Sequence, residues 1–389
     1  LKNKAEFDRL VAEIWGGLDG KKNTSKKLGA GTVYSGRKPA QARFALDVPR
    51  DVSWSPAGAA VDFLHRSAPE GEIYFISSQS AEPANLELEF RQTDRAPELW
   101  DAATGLRADA EVFRKTKTGI ALPVAFEPWG AVFVIFRKPL PARWTTAVEP
   151  ASVAESQTAA GLLSKTSASS AHYSDGAGVD YDQPQPPPAT QTIAAPWRVT
   201  FPDGRGAPSG ELVFDQLISW PNHPDDGVKY YSGTAIYRAT FNVTAAPQPR
   251  QAAFLDLGEV ADIARVYVNG RDAGILWKPP FRADITALLK RGENTLEIHV
   301  ANRWINRLIG DEAVDDGLSY QPAGTNKFTD GRILKLPGWL YDPAKRAGSK
   351  RHSFSVWKHY DADSPLVPAG LLGPVTLEWL NRVAPGATP

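Results

Sequence analysis

The chain contains no cysteine and no methionine among its 389 residues, and its 44 lysines and arginines are matched by 44 aspartates and glutamates. Without a thiol there is no disulfide framework, no thiolate metal site and no cysteine nucleophile. A formal net charge of zero provides no global field to draw in nucleic acid or an anionic membrane surface. No run of about 18 consecutive apolar residues is present to cross a bilayer as a helix, and no charged-then-apolar leader follows Leu1. Neither nucleic acid nor a membrane is therefore an expected partner. Because a reading frame opens with methionine, the start at Leu1 reads as a fragment or processed product of a longer chain, or as a sequence that has lost modified methionines.

What is present is ordinary globular material, with 42% hydrophobic, 10% aromatic and 23% charged residues. That composition can bury a sizeable core, and the length favours two or three domains over one. In "KAEFDRLVAEIW", Phe7, Leu10, Val11 and Ile14 follow the spacing of an amphipathic helix, which Gly16 and Gly17 stop. "GTVYSG" reads as a short buried strand, and "KPAQARFAL" as a second helix with Pro39 in its first turn. Residues 1–57 thus predict an α/β segment, the tail of an upstream domain.

Strand patterns take over in "AVDFLHRS", "EIYFISSQS", "LELEFRQ", "AEVFRKT" and "AVFVIFRK", so residues 58–138 predict a small β-sandwich. Residues 139–196, rich in Ala, Ser, Thr and Pro and including "QPQPPPATQ", predict a linker or a surface-draped crossover with little core. From "WRVTF" through "GTAIYRATFNV", "ARVYVNG", "NTLEIHVAN", "SFSVW" and "PVTLEW", residues 197–382 predict a second antiparallel sandwich. Within it, Asn269 and Gly270 suit a tight hairpin turn that needs positive φ, and Asp284 is placed to cap a short helical turn. The fold class is mainly β.

The ordered series "VYVNG", Gly274, a Pro-Phe pair, "DIT", "KRGENTL" and "VAN" resembles the jelly-roll, galactose-binding-like domain of glycoside hydrolase family 2. "LISWPNHPDDGVKYYSGTAIYRATF", "NRWINRLIGDE" and "VWKHYDADSPLVPAGLLGPVTL" are similar to the C-terminal region of glycoside hydrolase family 106, the α-L-rhamnosidase-like enzymes. "GTVYSGRKPAQA", "IYFISSQSAEP" and "PELWDAATG" resemble the segments between that family's barrel and its jelly roll. The resemblance implies an accessory part of an enzyme acting on rhamnose-containing glycans or glycosides, with carbohydrate and an upstream catalytic barrel as partners. It also implies a periplasmic or secreted location. The family's two carboxylates, one protonating the glycosidic oxygen and one activating water, belong to that barrel, as does a nearby Ca²⁺. An inverting pair must stand about 6.5–9.5 Å apart on rigid strand ends, which spacing within a sandwich sequence cannot supply, so no catalytic acid or base is assigned. A free-standing carbohydrate-binding module and a purely architectural sandwich pair are the alternatives.

Indole faces stack on pyranose rings while neighbouring polar groups bind hydroxyls. The candidate sugar-contacting residues are therefore Trp220 with His223 and Asp225, Trp277 beside Lys278, and Asn302 and Arg307 in "NRWINRLIGD". For Trp220 the plainer reading is a loop anchor on the sheet, and Trp304 is expected in the core. For Arg307 the plainer reading is a local ion pair with Asp311, four residues on. Ca²⁺ is a candidate ligand of Asp225 and Asp226, or of Asp311, Glu312, Asp315 and Asp316, although neither group has EF-hand spacing and solvated turn acids are the plainer reading. The six histidines, His352 and His359 among them, lack two-His ligand spacing, and Ser232 lacks a nucleophile elbow, so zinc and serine-hydrolase chemistry are disfavoured.

Overall fold

The computed structural model describes residues 3–46, 49–154, 156–164, 170–180, 189–194, 196–248, 250–314, 318–324, 327–342, 344 and 350–382. It begins with the expected helix, Lys4–Trp15, whose start is capped by the Asn3 side chain. Within this chain the helix buries none of its residues, and Phe7 (48%), Leu10 (40%), Val11 (39%) and Trp15 (49%) leave large parts of their surface in solvent. "GTVY" is a strand, but it is half-exposed rather than buried, because it pairs only with Ser25–Leu28 in a two-stranded antiparallel hairpin. Helix Pro39–Ala45 follows.

Two sheets then face each other. One is four-stranded, in the order Val52–Ser55, Ala84–Phe90, Ile120–Phe126, Arg114–Lys115; the other is five-stranded, in the order Val61–Ala68, Gly71–Ser78, Ala131–Pro139, Arg95–Asp101, Arg107–Asp109. The period-2 alternation seen in the sequence points Tyr74 and Ile76 from one sheet and Leu88, Phe90 and Leu122 from the other into a common core. The aromatic rings of Tyr74, Phe90 and Phe136 meet edge-on or tilted at 4.8–5.8 Å.

The stretch expected to be a linker is folded where it is described. Strands Thr145–Glu149, Ser170–Tyr173 and Gly178–Asp180 form a three-stranded sheet, and Val148, Val153, Leu162 and Ala171 pack on Val112 of the first sandwich. The buried Gln157 amide accepts from Val112 N and donates to Val112 O and Pro123 O, tying the segment to that sandwich. At the other end, Leu163 and Ser164 pair with Arg382 and Asn381 of the chain's last strand. The segment joins the two sandwiches because its few apolar residues complete a core supplied by its neighbours. Most of the proline run of "QPQPPPATQ" lies outside the described residues.

The second sandwich has a six-stranded sheet, in the order Glu211–Phe214, Trp197–Thr200, Thr234–Val243, Gly292–Ala301, Ile263–Val268, Arg271–Leu276. Opposite it, Thr376–Arg382 pairs with Gln251–Asp256, which pairs with Arg282–Asp284. Asn269 (φ 53°) and Gly270 (φ 73°) make the hairpin turn in the left-handed region, as the sequence requires. Asp284 Oδ1 accepts from Thr286 N at 2.9 Å, a side-chain turn that leads into the short helical turn Thr286–Leu288, whose N-cap position is Ile285. "SFSVW" is not a strand: it runs as irregular chain held to helix Ile305–Glu312, and only Trp357 forms an isolated bridge, to Arg332. Among the described residues no helix is long and apolar enough to cross a membrane.

Candidate functional site

Trp220, the first candidate sugar platform, is a core residue. It is fully buried, its indole Nε1 donates to the Tyr237 hydroxyl at 2.6 Å, and Phe201 and Tyr231 meet its ring edge-on at 5.5 Å. Tyr237, entirely enclosed, also accepts from Leu371 N, and burial pushes its hydroxyl up to about 12. No face of this indole is left for a sugar. His223 stacks on Phe214 at 5.4 Å and accepts from Asp225 N. Asp225 caps the short helix Asp226–Lys229 through Gly227 N and Val228 N.

Asn302 braces the sheet end, accepting from Gly233 N and donating to Tyr231 O. Trp277 is 55% exposed at the end of strand Arg271–Leu276, and Trp304, expected in the core, is 58% exposed. Trp304 precedes helix Ile305–Glu312, whose inward face is taken by Asn306, Arg307, Ile309 and Asp311. Five of the six candidates, Trp220, His223, Asp225, Asn302 and Arg307, are committed to structural contacts.

Arg307 and Asp311 make the local ion pair, Nε to Oδ1 at 3.0 Å, with the Asp311 side chain fully enclosed. Burial pulls the Arg307 guanidinium below its ordinary value, and the charge of Asp311 opposes that fall. The second carboxylate oxygen of Asp311 accepts from His352 N, Ser353 N and the Ser353 hydroxyl at 3.1, 2.5 and 2.6 Å. One helical turn thus fastens a distant, irregular segment by charge-assisted hydrogen bonds.

Beside this anchor lies a cleft of about 800 Å³, whose described lining includes Glu312, Leu318, Asp330 and Arg351. Long loops in compact domains are more often functional than incidental. Its frame is a set of backbone hydrogen bonds: Gln321 N to Arg332 O, Gly331 N to Gln321 O, Ile333 N to Val356 O and Lys358 N to Gly331 O, at 2.7–2.9 Å. Tyr320, Gln321, Lys358, His359 and Tyr360 contribute to its lining. The sequence reading passed over all of these as site residues. The available signal was the aromatic and polar composition of "WKHYD" in a stretch without strand or helix periodicity.

Three of the six acidic candidates for Ca²⁺ are already engaged. Asp225 is spent on a helix cap, Asp311 on Arg307 and Ser353, and Glu312 on Arg351 at 3.3 Å. Asp315 and Asp316 lie outside the described residues. Among the described residues no three His, Cys, Asp or Glu side chains gather in a way that could hold a metal ion.

Comparison with known proteins supplies the context for this geometry. Residues 1–114 match the glycoside hydrolase family 106 model, described as alpha-L-rhamnosidase, and residues 221–329 match the galactose-binding-like domain of glycosyl hydrolase family 2. A protein of Formosa agariphila described as "Putative beta-glucuronidase" is 42% identical over 189 residues, which cover 48% of this chain and 15% of that protein. The structure of a rhamnosidase from Novosphingobium sp. PP1Y is 30% identical and superposes with a TM-score of 0.67, covering 96% of this chain and 29% of that one. The chain thus spans less than a third of the length of either relative. Over nearly its whole length it is similar to part of a rhamnosidase, with a family 106 match at its start and a family 2 galactose-binding-like match in its second sandwich.

Proposed function

We propose that this chain is the accessory, β-rich part of an α-L-rhamnosidase-like glycoside hydrolase. The whole enzyme acts on rhamnose-containing glycans or glycosides, and its bond-breaking carboxylates sit on a barrel outside these residues. The observation that carries this reading is the likeness to a rhamnosidase across 96% of the chain but only 29% of that protein.

The chemistry of the described residues agrees. Glycoside hydrolysis needs two carboxylates facing one reaction centre, with one held protonated in many such enzymes. Among the described residues Glu98 is committed to Arg137, Glu297 to Arg238 and His299, and Asp311 to Arg307, while Glu111, whose pKa burial raises, accepts from Leu162 N where the first sandwich meets strand Gly161–Ser164. The solvent-facing apolar stripe of helix Lys4–Trp15 is the kind of surface that a neighbouring domain covers, which also suits a barrel outside this chain.

The test is hydrolysis of an aryl α-L-rhamnoside, measured for this chain alone and for a longer polypeptide in which it is continuous with a barrel. Turnover is expected only from the longer protein. Enzymatic turnover by the isolated chain, or failure of the longer protein on every rhamnoside tried, would overturn the proposal.

A further inference from the structure

Strand Val61–Ala68 lies at the edge of the five-stranded sheet, and among the described residues it has a neighbour on one side only, Gly71–Ser78. Its free side is a row of unpaired backbone N–H and C=O groups, the kind of edge that proteins blunt by shortness, proline, lysine or a bulge. The sheet's other edge, Arg107–Asp109, is three residues long. Val61–Ala68 runs for eight, "VDFLHRSA", with no proline, no lysine and an unbroken register. Phe63 and Leu64 leave 41% and 56% of their surface in solvent, although both lie mid-strand.

Two alternations decide what can pair there. Gln79 N donates to Ala60 O just before the strand opens, whereas Ser78 N, opposite Val61, donates the other way, to Gly130 O. In an antiparallel ladder the residues whose backbone groups face one neighbour recur at every second position. Asp62, Leu64 and Arg66 therefore spend their N–H and C=O on Gly71–Ser78, and Val61, Phe63, His65 and Ser67 turn theirs to the free edge. The side chains of Asp62, Leu64 and Arg66 share the outer face of the sheet. There Leu64 stands in register with Phe75 and Phe75 with Phe133, and the two rings meet at 4.9 Å. Asp62 and Arg66 are exposed and have no ion-pair partner among the described residues.

A second copy of the strand satisfies both alternations when it runs antiparallel about a two-fold axis through Leu64. Phe63 then faces the partner's His65, and Val61 the partner's Ser67, each pair joined through the outward backbone groups. Leu64 meets the partner's Leu64, and Asp62 the partner's Arg66, in the close positions where opposite charges attract across a sheet. Moving the axis by one residue in either direction separates Asp62 from Arg66. The contact is the same patch on both chains, as a closed two-fold dimer requires. We propose that Val61–Ala68 is a homodimer interface, pairing antiparallel with a second copy of this chain about Leu64 to make one continuous sheet. Nothing in this pairing depends on the substrate of the enzyme.

The test is sedimentation velocity of the 389-residue chain and of the longer polypeptide continuous with a barrel. Both are expected to show a reversible monomer–dimer equilibrium, with a dissociation constant on the order of 10 μM for so small an interface. Asp62→Arg or Arg66→Asp alone sets like charges face to face on both sides of the axis and should weaken the dimer by about tenfold. The chain carrying both substitutions should recover it, and so should an equimolar mixture of the two single variants. Because the chain has no cysteine, Leu64→Cys puts its single thiol on the axis and should form an intermolecular disulfide under mild oxidation. Arg66→Cys, roughly 13 Å along the strands from its own copy, should not. All three positions are exposed, so the fold is expected to survive, and circular dichroism checks it.

A monomer at every concentration, a dimer indifferent to both charge reversals, or Arg66→Cys cross-linking as readily as Leu64→Cys would overturn the proposal. So would a dimer formed by the 389-residue chain and not by the longer protein, since the barrel would then hold the edge.

Discussion

Asn269 Nδ2 donates to Asn294 Oδ1 at 2.8 Å, joining the hairpin turn of one strand pair to the turn that opens strand Gly292–Ala301 of the second sandwich. Asn294 is fully buried and uses every polar atom of its side chain: it also accepts from Lys290 N and donates to Lys290 O and Gly292 O. Asn269 in turn accepts from Thr295 N and donates to Leu288 O. The two amides replace the water that both turns would otherwise need. Replacing Asn294 with Ala removes the partners of Lys290 N, Lys290 O and Gly292 O, which are partly buried, and at about 1 kcal/mol for each a fall of about 3 kcal/mol is expected in denaturant unfolding. Asn269→Gly keeps the positive φ and loses only the side-chain bonds, so it should cost less than Asn294→Ala; the reverse order would contradict this account.

The Arg307–Asp311 pair makes a second prediction. Arg307→Met leaves the Asp311 carboxylate enclosed without its cation, and breaking one side of a buried pair costs roughly 3–5 kcal/mol. Adding Asp311→Asn to Arg307→Met removes the uncompensated charge, so the double variant should be less destabilised than the sum of the two single ones. Urea unfolding of the four proteins in the cycle checks this. Strict additivity would mean that the two side chains act independently, contrary to their 3.0 Å contact.

How far the sequence reveals the molecule depends on how local the controlling physics is. The Asn269–Gly270 turn, the Asp284–Thr286 contact and the Arg307–Asp311 pair are set within four residues, and each is legible as written. The burial of Trp220 is decided by Phe201, Tyr231 and Tyr237 from elsewhere in the sandwich, so a Trp-Pro-Asn-His string looks like a binding loop until those rings arrive. Residues 139–196 read as linker because their strands are short and their partners distant: Leu163 pairs with Arg382, and Gln157 bonds to Val112. The cleft was the least legible part, since its walls come from chain with neither period to announce it.

Trp220 and Trp304 give a paired prediction. Trp220→Ala removes a fully buried indole and leaves Leu371 N as the remaining donor to the Tyr237 hydroxyl, which should cost about 3–5 kcal/mol. The indole also fits against a backbone with no room to spare, because a Cβ on Gly370 would come within 2.4 Å of Trp220 Nε1. Gly370→Ala should therefore destabilise the same sandwich, compounded by its φ of 98°. Trp304→Ala, at a largely exposed position, should shift stability by no more than about 0.5 kcal/mol. Thermal unfolding of the three variants distinguishes core from surface, and a Trp304→Ala effect as large as that of Trp220→Ala would refute the placement.

Glu111 gives a prediction with a definite sign in pH. It sits where the first sandwich meets the Gly161–Ser164 strand, accepts from Leu162 N at 3.3 Å, and has one carboxylate oxygen buried without a hydrogen-bond partner. Burial raises its pKa above the ordinary 4.5, outweighing the opposing pull of the Leu162 amide and of Arg382. A group raised in the folded state binds its proton more tightly there than in the unfolded chain. Its contribution to stability is complete below pH 4.5 and is lost as the pH climbs through the folded-state value. Glu111→Gln keeps an acceptor for Leu162 and cannot ionise, so the variant should gain on the wild type as the pH rises from 4.5 to 8 and match it most closely in acid. Unfolding midpoints measured across that range give the answer, and a gap that narrows with rising pH would show that the ionised carboxylate is welcome where it lies.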